Sequence, residues 1–339
     1  MLILIGLLAL LAVAMVVAGS VGAVPVRPRA IVSMLIHGLF GGSASGTSVD
    51  ETIVFQIRLP RVIAAALVGA ALSVAGVLFQ GLFRNPMADP YVIGSQGGAA
   101  LGATIGILLL PHFSFLGFGA TATLAFLGSV LAMVLVYWLA RVGGRTPIVG
   151  LLLAGFALST LLSSSTVFFM FIGPQTDTAL RALTSWLHGT VAVAGWDQIL
   201  AVAAMVLVGI LCSLPLARML NALSLGEEYA EQLGIPIEWS RAAIILVGSL
   251  LTSGAVSVGG LIGFVGLIVP HFCRLLLGPE HLRLIPVSAL CGATFLVLAD
   301  TLARTVIAPS ELPVGILTAF IGGPAFLYLL RRTKREYVG

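Results

Sequence analysis

Ser224-Leu-Gly-Glu-Glu-Tyr-Ala-Glu-Gln-Leu-Gly-Ile-Pro-Ile-Glu-Trp-Ser-Arg241 gathers four acids and an arginine in a chain with only 9% Asp, Glu, Lys and Arg. Ser224 with Glu227 has the spacing of a capping box, in which hydroxyl and carboxylate each serve a free N–H. Glu227, Glu228 and Glu231 then fall towards the positive end of a short helix. Gly234 followed by Pro236 ends it, since glycine accepts the left-handed cap and proline cannot continue the ladder. Leu225, Tyr229 and Leu233 recur every fourth position and share a face. The stretch predicts a short amphipathic helix on the aqueous side of a membrane protein, with a face free to touch a partner. A helix lying on lipid is the alternative reading. Its acidic polar face argues against that, because such helices favour Lys and Arg.

The rest of the chain is apolar. Of 339 residues 59% are hydrophobic, the mean hydropathy is +1.14, and 40 glycines suit close helix packing in lipid. The net charge of +4 comes from scattered residues and gives no nucleic-acid surface. Lys334 is the only lysine and lies in the tail, which excludes a P-loop on this chain and an intramembrane Schiff base. There is no H-E-x-x-H and no pair of intramembrane carboxylates, so enzyme chemistry has no anchor. Cys212, Cys273 and Cys291 are far apart in sequence and read as small buried hydrophobes.

A membrane-spanning helix needs about 20 mostly apolar residues. Roughly ten segments qualify, with cores at 2–23, 62–83, 93–110, 118–140, 148–171, 196–215, 242–258, 261–277, 284–303 and 313–330. The uncharged start and long first run distinguish 1–23 from a signal peptide. With the N-terminus in the cytoplasm, eleven basic residues fall inside and six outside, which obeys the positive-inside rule. Both termini and the Ser224–Arg241 helix are then cytoplasmic. Gly41-Gly-Ser-Ala-Ser-Gly-Thr-Ser48, in the first outside connection, reads as a flexible piece. A faint echo between the segments that follow Arg61 and Arg241 has the sense of an inverted repeat.

Several constellations remain. Arg58-Leu-Pro-Arg61 opens the second span outside, where two guanidiniums three apart offer a fork for carboxylates or snorkel to lipid phosphate. Arg84-Asn-Pro-Met-Ala-Asp-Pro-Tyr91 forms a tight cytoplasmic turn. The glycine-rich run Gly254 to His271 implies a broken helix packed inside the bundle, with His271 structural. Asp300 and Arg304 suit an intrahelical pair, and Asp300 is the acid that a proton-coupled carrier would use. Ser159, Thr160, Ser163, Ser164, Ser165 and Thr166 give the fifth span a polar run that suits either a wet path or helix packing. Met170 follows, then an outside helix with Asp177, Arg181 and His188, where an arginine can meet an anionic ligand and a histidine a haem.

Arg58-Leu-Pro-Arg61, Asn85-Pro-Met-Ala-Asp-Pro90, Leu151-Leu-Leu-Ala-Gly155, Leu225-Gly-Glu with Gln232-Leu-Gly234, Gly263-Phe-Val-Gly-Leu-Ile-Val-Pro-His271, Leu298-Ala-Asp300 and Glu311-Leu-Pro-Val-Gly315 occur in this order. In that order they resemble the FecCD-type permeases, membrane subunits of binding-protein-dependent ABC importers for iron siderophores, haem and cobalamin. The resemblance covers nearly the whole chain. It implies an all-α polytopic protein of about ten spans, a cobalamin-permease-like bundle forming one permease domain over 1–339. It further implies a second permease copy, as a homodimer or beside a similar permease, two cytoplasmic ATPase subunits and a periplasmic binding protein, in the inner membrane. ATP and Mg would bind the ATPase, with no cofactor on this chain. Within the cytoplasmic loop 216–241, Leu225, Gly226, Glu227, Glu228, Tyr229, Gln232, Leu233 and Gly234 match the coupling helix that enters the ATPase. Arg58, Arg61 and Arg304, with the first periplasmic loop 24–57 leading into them, match the arginines that meet the binding protein. The fifth and tenth spans would line the path, giving Ser159, Ser163, Ser164, Thr166, Met170 and Arg181 as path candidates. The expected substrate is a metal chelate, foremost a ferric siderophore, with cobalamin and haem as the alternatives.

Overall fold

The computed structural model describes residues 2–22, 26–39, 49–115, 117–174, 176–193 and 195–338, with side chains at the C-terminal end followed as far as Arg331. Helix α1 (Leu2–Ser20) is followed by α2 (Pro28–Leu39) and α3 (Val49–Thr52). A π-helical stretch, Ile53–Arg58, runs directly into α4 (Leu59–Leu82). A 3-10 turn at Pro90–Ile93 precedes α5 (Ser95–Leu108), and a two-residue hairpin, β1 (Ser114–Phe115) with β2 (Phe118–Gly119), leads to α6 (Ala120–Ala140). Then come α7 (Ile148–Ile172), α8 (Asp177–Leu187), α9 (Trp196–Leu225), α10 (Glu227–Gln232), α11 (Ile237–Gly259), α12 (Val265–Leu277), α13 (His281–Thr305) and α14 (Val314–Val338).

Each of the ten apolar segments contains a helix. Among the described residues eight helices are long and apolar enough to cross a membrane, while α5 has 14 residues and α12 has 13. At 1.5 Å per residue these two reach about 20 Å, short of a bilayer core of about 30 Å. The described residues of the connection 24–57 are mostly helical, and Val26, Ile31 and Val54 there share an apolar cluster. The glycine–serine piece at 41–48 lies outside the described residues.

Helix α4 is the centre of the bundle, buried along nearly its whole length and packed against α9, α11, α12 and α13. Glycine makes the approach possible. A Cβ at Gly76 would stand 1.9 Å from the Gly266 carbonyl oxygen of α12. Gly76→Ala is therefore expected to cost about 1–3 kcal/mol by forcing the helices apart, read as a lowered thermal midpoint in detergent. Gly6→Ala, with nothing within 4 Å, is the silent control.

The glycine-rich run breaks as its composition implies. Helix α11 stops at Gly259, and Gly260 and Phe264 take positive φ (65° and 70°) before α12 begins. The broken backbone is satisfied from neighbours: the Tyr91 hydroxyl donates to Ile262 O at 3.2 Å, and Leu261 N to Trp186 O at 3.4 Å. Pro270 has no N–H for Gly266 O, and Gln80 of α4 donates instead, at 3.3 Å to Gly266 O and 2.9 Å to Leu267 O. Asn85 and Asp89 each accept from the N–H two residues on, at 2.9 Å, which fixes the turn between α4 and α5. Burial pushes the Asp89 carboxyl up to about 6, against the pull of the Tyr91 N–H.

The cysteine reading holds for Cys273, which is buried, whereas Cys212 is exposed on α9 and Cys291 is half-buried on α13.

Candidate functional site

Three groups of side chains stand out, and the antiparallel course of the helices places them at defined levels. The start of α4 and the ends of α1 and α13 share one end of the bundle. The ends of α4 and α9, the start of α11 and the turn between α6 and α7 share the other.

At the first end, Asp300 is 1% exposed and holds two arginines. Arg61 donates to its Oδ1 from Nη2 at 3.0 Å and from Nε at 3.2 Å, and Arg304 Nε lies 3.0 Å from Oδ2. Glu311, half exposed on the loop after α13, takes the remaining arm of Arg61 at 2.7 Å. Arg58 points elsewhere: its Nη1 donates to Gly19 O at 2.8 Å and to Ser20 O at 3.4 Å. Those carbonyls belong to the C-terminus of α1, where free acceptors and the helix dipole both favour a cation. An outward fork made by Arg58 and Arg61 is thus corrected. Arg58 is buried against α1, and Arg61 is engaged by carboxylates of its own chain.

Helix α7 presents the polar run to a groove of about 570 Å³ lined by Phe156, Ser159, Thr160, Ser163, Ser164 and Val167. Thr160 donates to Phe156 O at 2.9 Å and Ser164 to Thr160 O at 3.0 Å. With their protons spent on the helix, these hydroxyls offer weak, uncharged acceptors to a passing ligand. Thr166 is buried and bonds Leu162 O, and Met170 is half-buried, so neither lines the groove. Arg181 is exposed on α8. His188 donates from Nδ1 to Thr184 O at 2.7 Å and borders a second groove of about 420 Å³ with Leu261, Gly315 and Phe320.

At the opposite end, the capping box is absent. Helix α9 continues through Pro215 to Leu225, so Ser224 lies in its last turn and donates back to Asn221 O at 2.6 Å. Gly226, with φ 126°, starts α10, and Glu227 is bound to Arg241 at 2.5 Å. Gly234, with φ 76°, closes α10, Ile235 N bonding Ala230 O at 3.0 Å as a Schellman motif requires. Leu225 at the end of α9, and Tyr229 and Leu233 on and just after α10, are all exposed, as is Trp239 near the start of α11. Glu228, Gln232 and Gly234 are exposed beside them, with Gly226 half-buried.

The sequence pattern of the FecCD transport family matches residues 10–332. The chain belongs to that family. It is 45% identical over 281 residues to the cobalamin import system permease protein BtuC of Halobacterium salinarum, covering 83% of this chain and 74% of that one. It is 40% identical over 287 residues to the hemin transport system permease protein HmuU of Yersinia pestis, covering 84% of each. A solved structure assigned to the metal-chelate type of ABC transporter, in an inward-facing conformation, superposes with TM-score 0.82 at 33% identity over 97% of this chain and 99% of that one. Other relatives are named for import of ferric hydroxamate, ferric citrate and molybdate. This FecCD chain is accordingly a multi-pass membrane permease of a metal-chelate type ABC importer, and its relatives are membrane subunits.

Two residues of this FecCD permease had no signal in the sequence. Glu311 stood in a motif without an assigned partner, and Glu238 was one acid of four. Each becomes legible only once Arg61 and Arg241 are placed, since each arginine collects two carboxylates at the start of a helix.

Proposed function

We propose that this permease carries a ferric siderophore across the inner membrane as one of two identical copies. An ATPase pair would bind in the cytoplasm and a periplasmic binding protein would deliver the chelate, with ATP and Mg confined to the ATPase. The observation that carries this reading is the uncharged, hydroxyl-lined groove on α7, a helix with little of its surface buried in this chain. A bulky chelate with an oxygen-rich surface needs such a wall, one that wets it without holding it. A second copy facing α7 and α14 would enclose the groove. Cobalamin is the second reading, favoured by the 45% identity to a cobalamin permease. Uptake of labelled ferric siderophore and of labelled cobalamin, compared in a strain lacking the gene, separates the two. Loss of siderophore uptake alone, restored by the gene, supports the first; loss of cobalamin uptake alone replaces it.

In this reading α10 is the coupling helix, both termini are cytoplasmic, and Arg58, Arg61 and Arg304 form the end that meets the binding protein, Arg58 tying it to the carbonyls of α1. Glu311 then competes for Arg61 with any incoming carboxylate. Glu311→Gln is expected to tighten binding-protein affinity by up to about fivefold, the scale of an exposed ion pair of about 1 kcal/mol. Titration of the reconstituted permease with the binding protein reads this directly.

A further inference from the structure

We infer that Glu238 is the positioning residue that passes movement of α10 to α7; this rests on reading α10 as the coupling helix. The connection is a short run of bonds. Arg241, almost wholly buried, is gripped by Glu227 of α10 at 2.5 Å and by Glu238 Oε1 at 2.6 Å. Two charge-assisted bonds on one fixed guanidinium prevent α10 from shifting without the start of α11. Glu238 uses its other oxygen differently: Oε2 accepts from the backbone N–H of Thr146 at 2.9 Å. Thr146 is followed by Pro147, which caps α7, the helix bearing the hydroxyl groove.

The segment that receives this pull is stiff. Gly143 and Gly144, with φ of 59° and 80°, form a two-residue reversal closed by Val142 N to Arg145 O at 2.9 Å and Arg145 N to Val142 O at 3.1 Å. Thr146 is fully buried, proline fixes the next φ, and Leu151 N bonds Pro147 O at 3.1 Å. A closed turn and a fixed cap transmit displacement where a loose loop would absorb it. Little of α7 is buried within this chain, so a rigid shift of it disturbs little of the chain's own core. One carboxylate, with one oxygen on each side, thus joins the cytoplasmic helix to the groove wall.

The test uses the full importer in lipid nanodiscs, with its ATPase and binding protein. Spin labels are placed at Val149 on α7 and at Ile57 beyond the far end of α4, both exposed. The three native cysteines are replaced. The distance is expected to change on ATP binding in the parent protein. In Glu238→Ala that change should be lost, with ATP hydrolysis kept within about twofold of the parent. Glu238→Gln, which keeps an acceptor for the Thr146 N–H, should retain more than half of it. A full change in Glu238→Ala, or none in the parent, overturns the inference. Equal loss in the Gln and Ala variants assigns the effect to the Arg241 pair and overturns the link to Thr146. If the double variant Tyr229→Ser, Leu233→Ser keeps both the change and hydrolysis, the coupling role of α10 itself fails.

Discussion

Asp300→Asn is expected to destabilise the folded permease by about 3–5 kcal/mol, the cost of leaving a buried ion pair without one partner. Asp300 is 1% exposed and faces Arg61 and Arg304 at 3.0 Å each. Without its charge the two guanidiniums repel one another in a dry setting. Glu311 cannot substitute, because it reaches only the outer arm of Arg61. Arg304 also reaches Ala18 O at 3.5 Å, so the loss extends to the end of α1. Thermal unfolding in detergent reads the effect: a marked drop for Asp300→Asn, and a small one for Glu311→Gln. The same comparison bears on a proton-driven carrier using Asp300. Such a protein would fold normally as the asparagine variant and lose only gradient-driven uptake. A wild-type midpoint for Asp300→Asn would refute the structural account.

Tyr229→Ser with Leu233→Ser is expected to reduce uptake at least tenfold while leaving the chain folded. The two side chains are 63% and 65% exposed, so their removal takes little from the packed interior. Apolar side chains held in water on a six-residue helix are suited to fill a partner's cleft, and a few such anchors carry most of an interface's energy. Glu227 would be a poorer probe, since its carboxylate is bound to Arg241 and its loss disturbs α11 as well. The readouts are substrate uptake and ATP hydrolysis in proteoliposomes, with gel filtration to confirm folding. Normal uptake by the double variant would remove α10 from the coupling route.

The ten apolar segments were legible because each carries its own signal, a run of the right length. Boundaries followed less well. The predicted core of the sixth span ends at 215, yet α9 runs ten residues further through Pro215, since lipid and neighbouring helices tolerate the missing N–H. That extension placed Ser224 inside a helix and removed the capping box. Tyr229 and Leu233 stay exposed together, four apart along α10 and its cap, whereas Gly226 breaks the period between them and Leu225. The charged end was not legible. Arg61 meets Asp300 across 239 positions, a distance over which spacing carries no information. An arginine read from its own motif looks free when its acid lies nine helices away, on α13.

The Gln80 amide has a consequence for how the protein is made. Helix α4 enters the bilayer early, but the carbonyls that Gln80 serves, at Gly266 and Leu267, lie 186 and 187 residues downstream. At synthesis rates of roughly 5–20 residues per second, that amide waits about 10–40 s for its acceptors. Through that interval the centre of the bundle is a helix with a polar group in lipid and no partners yet synthesised. Truncations before residue 266 should therefore be cleared by membrane proteases, whereas losses from the C-terminal tail leave the centre complete.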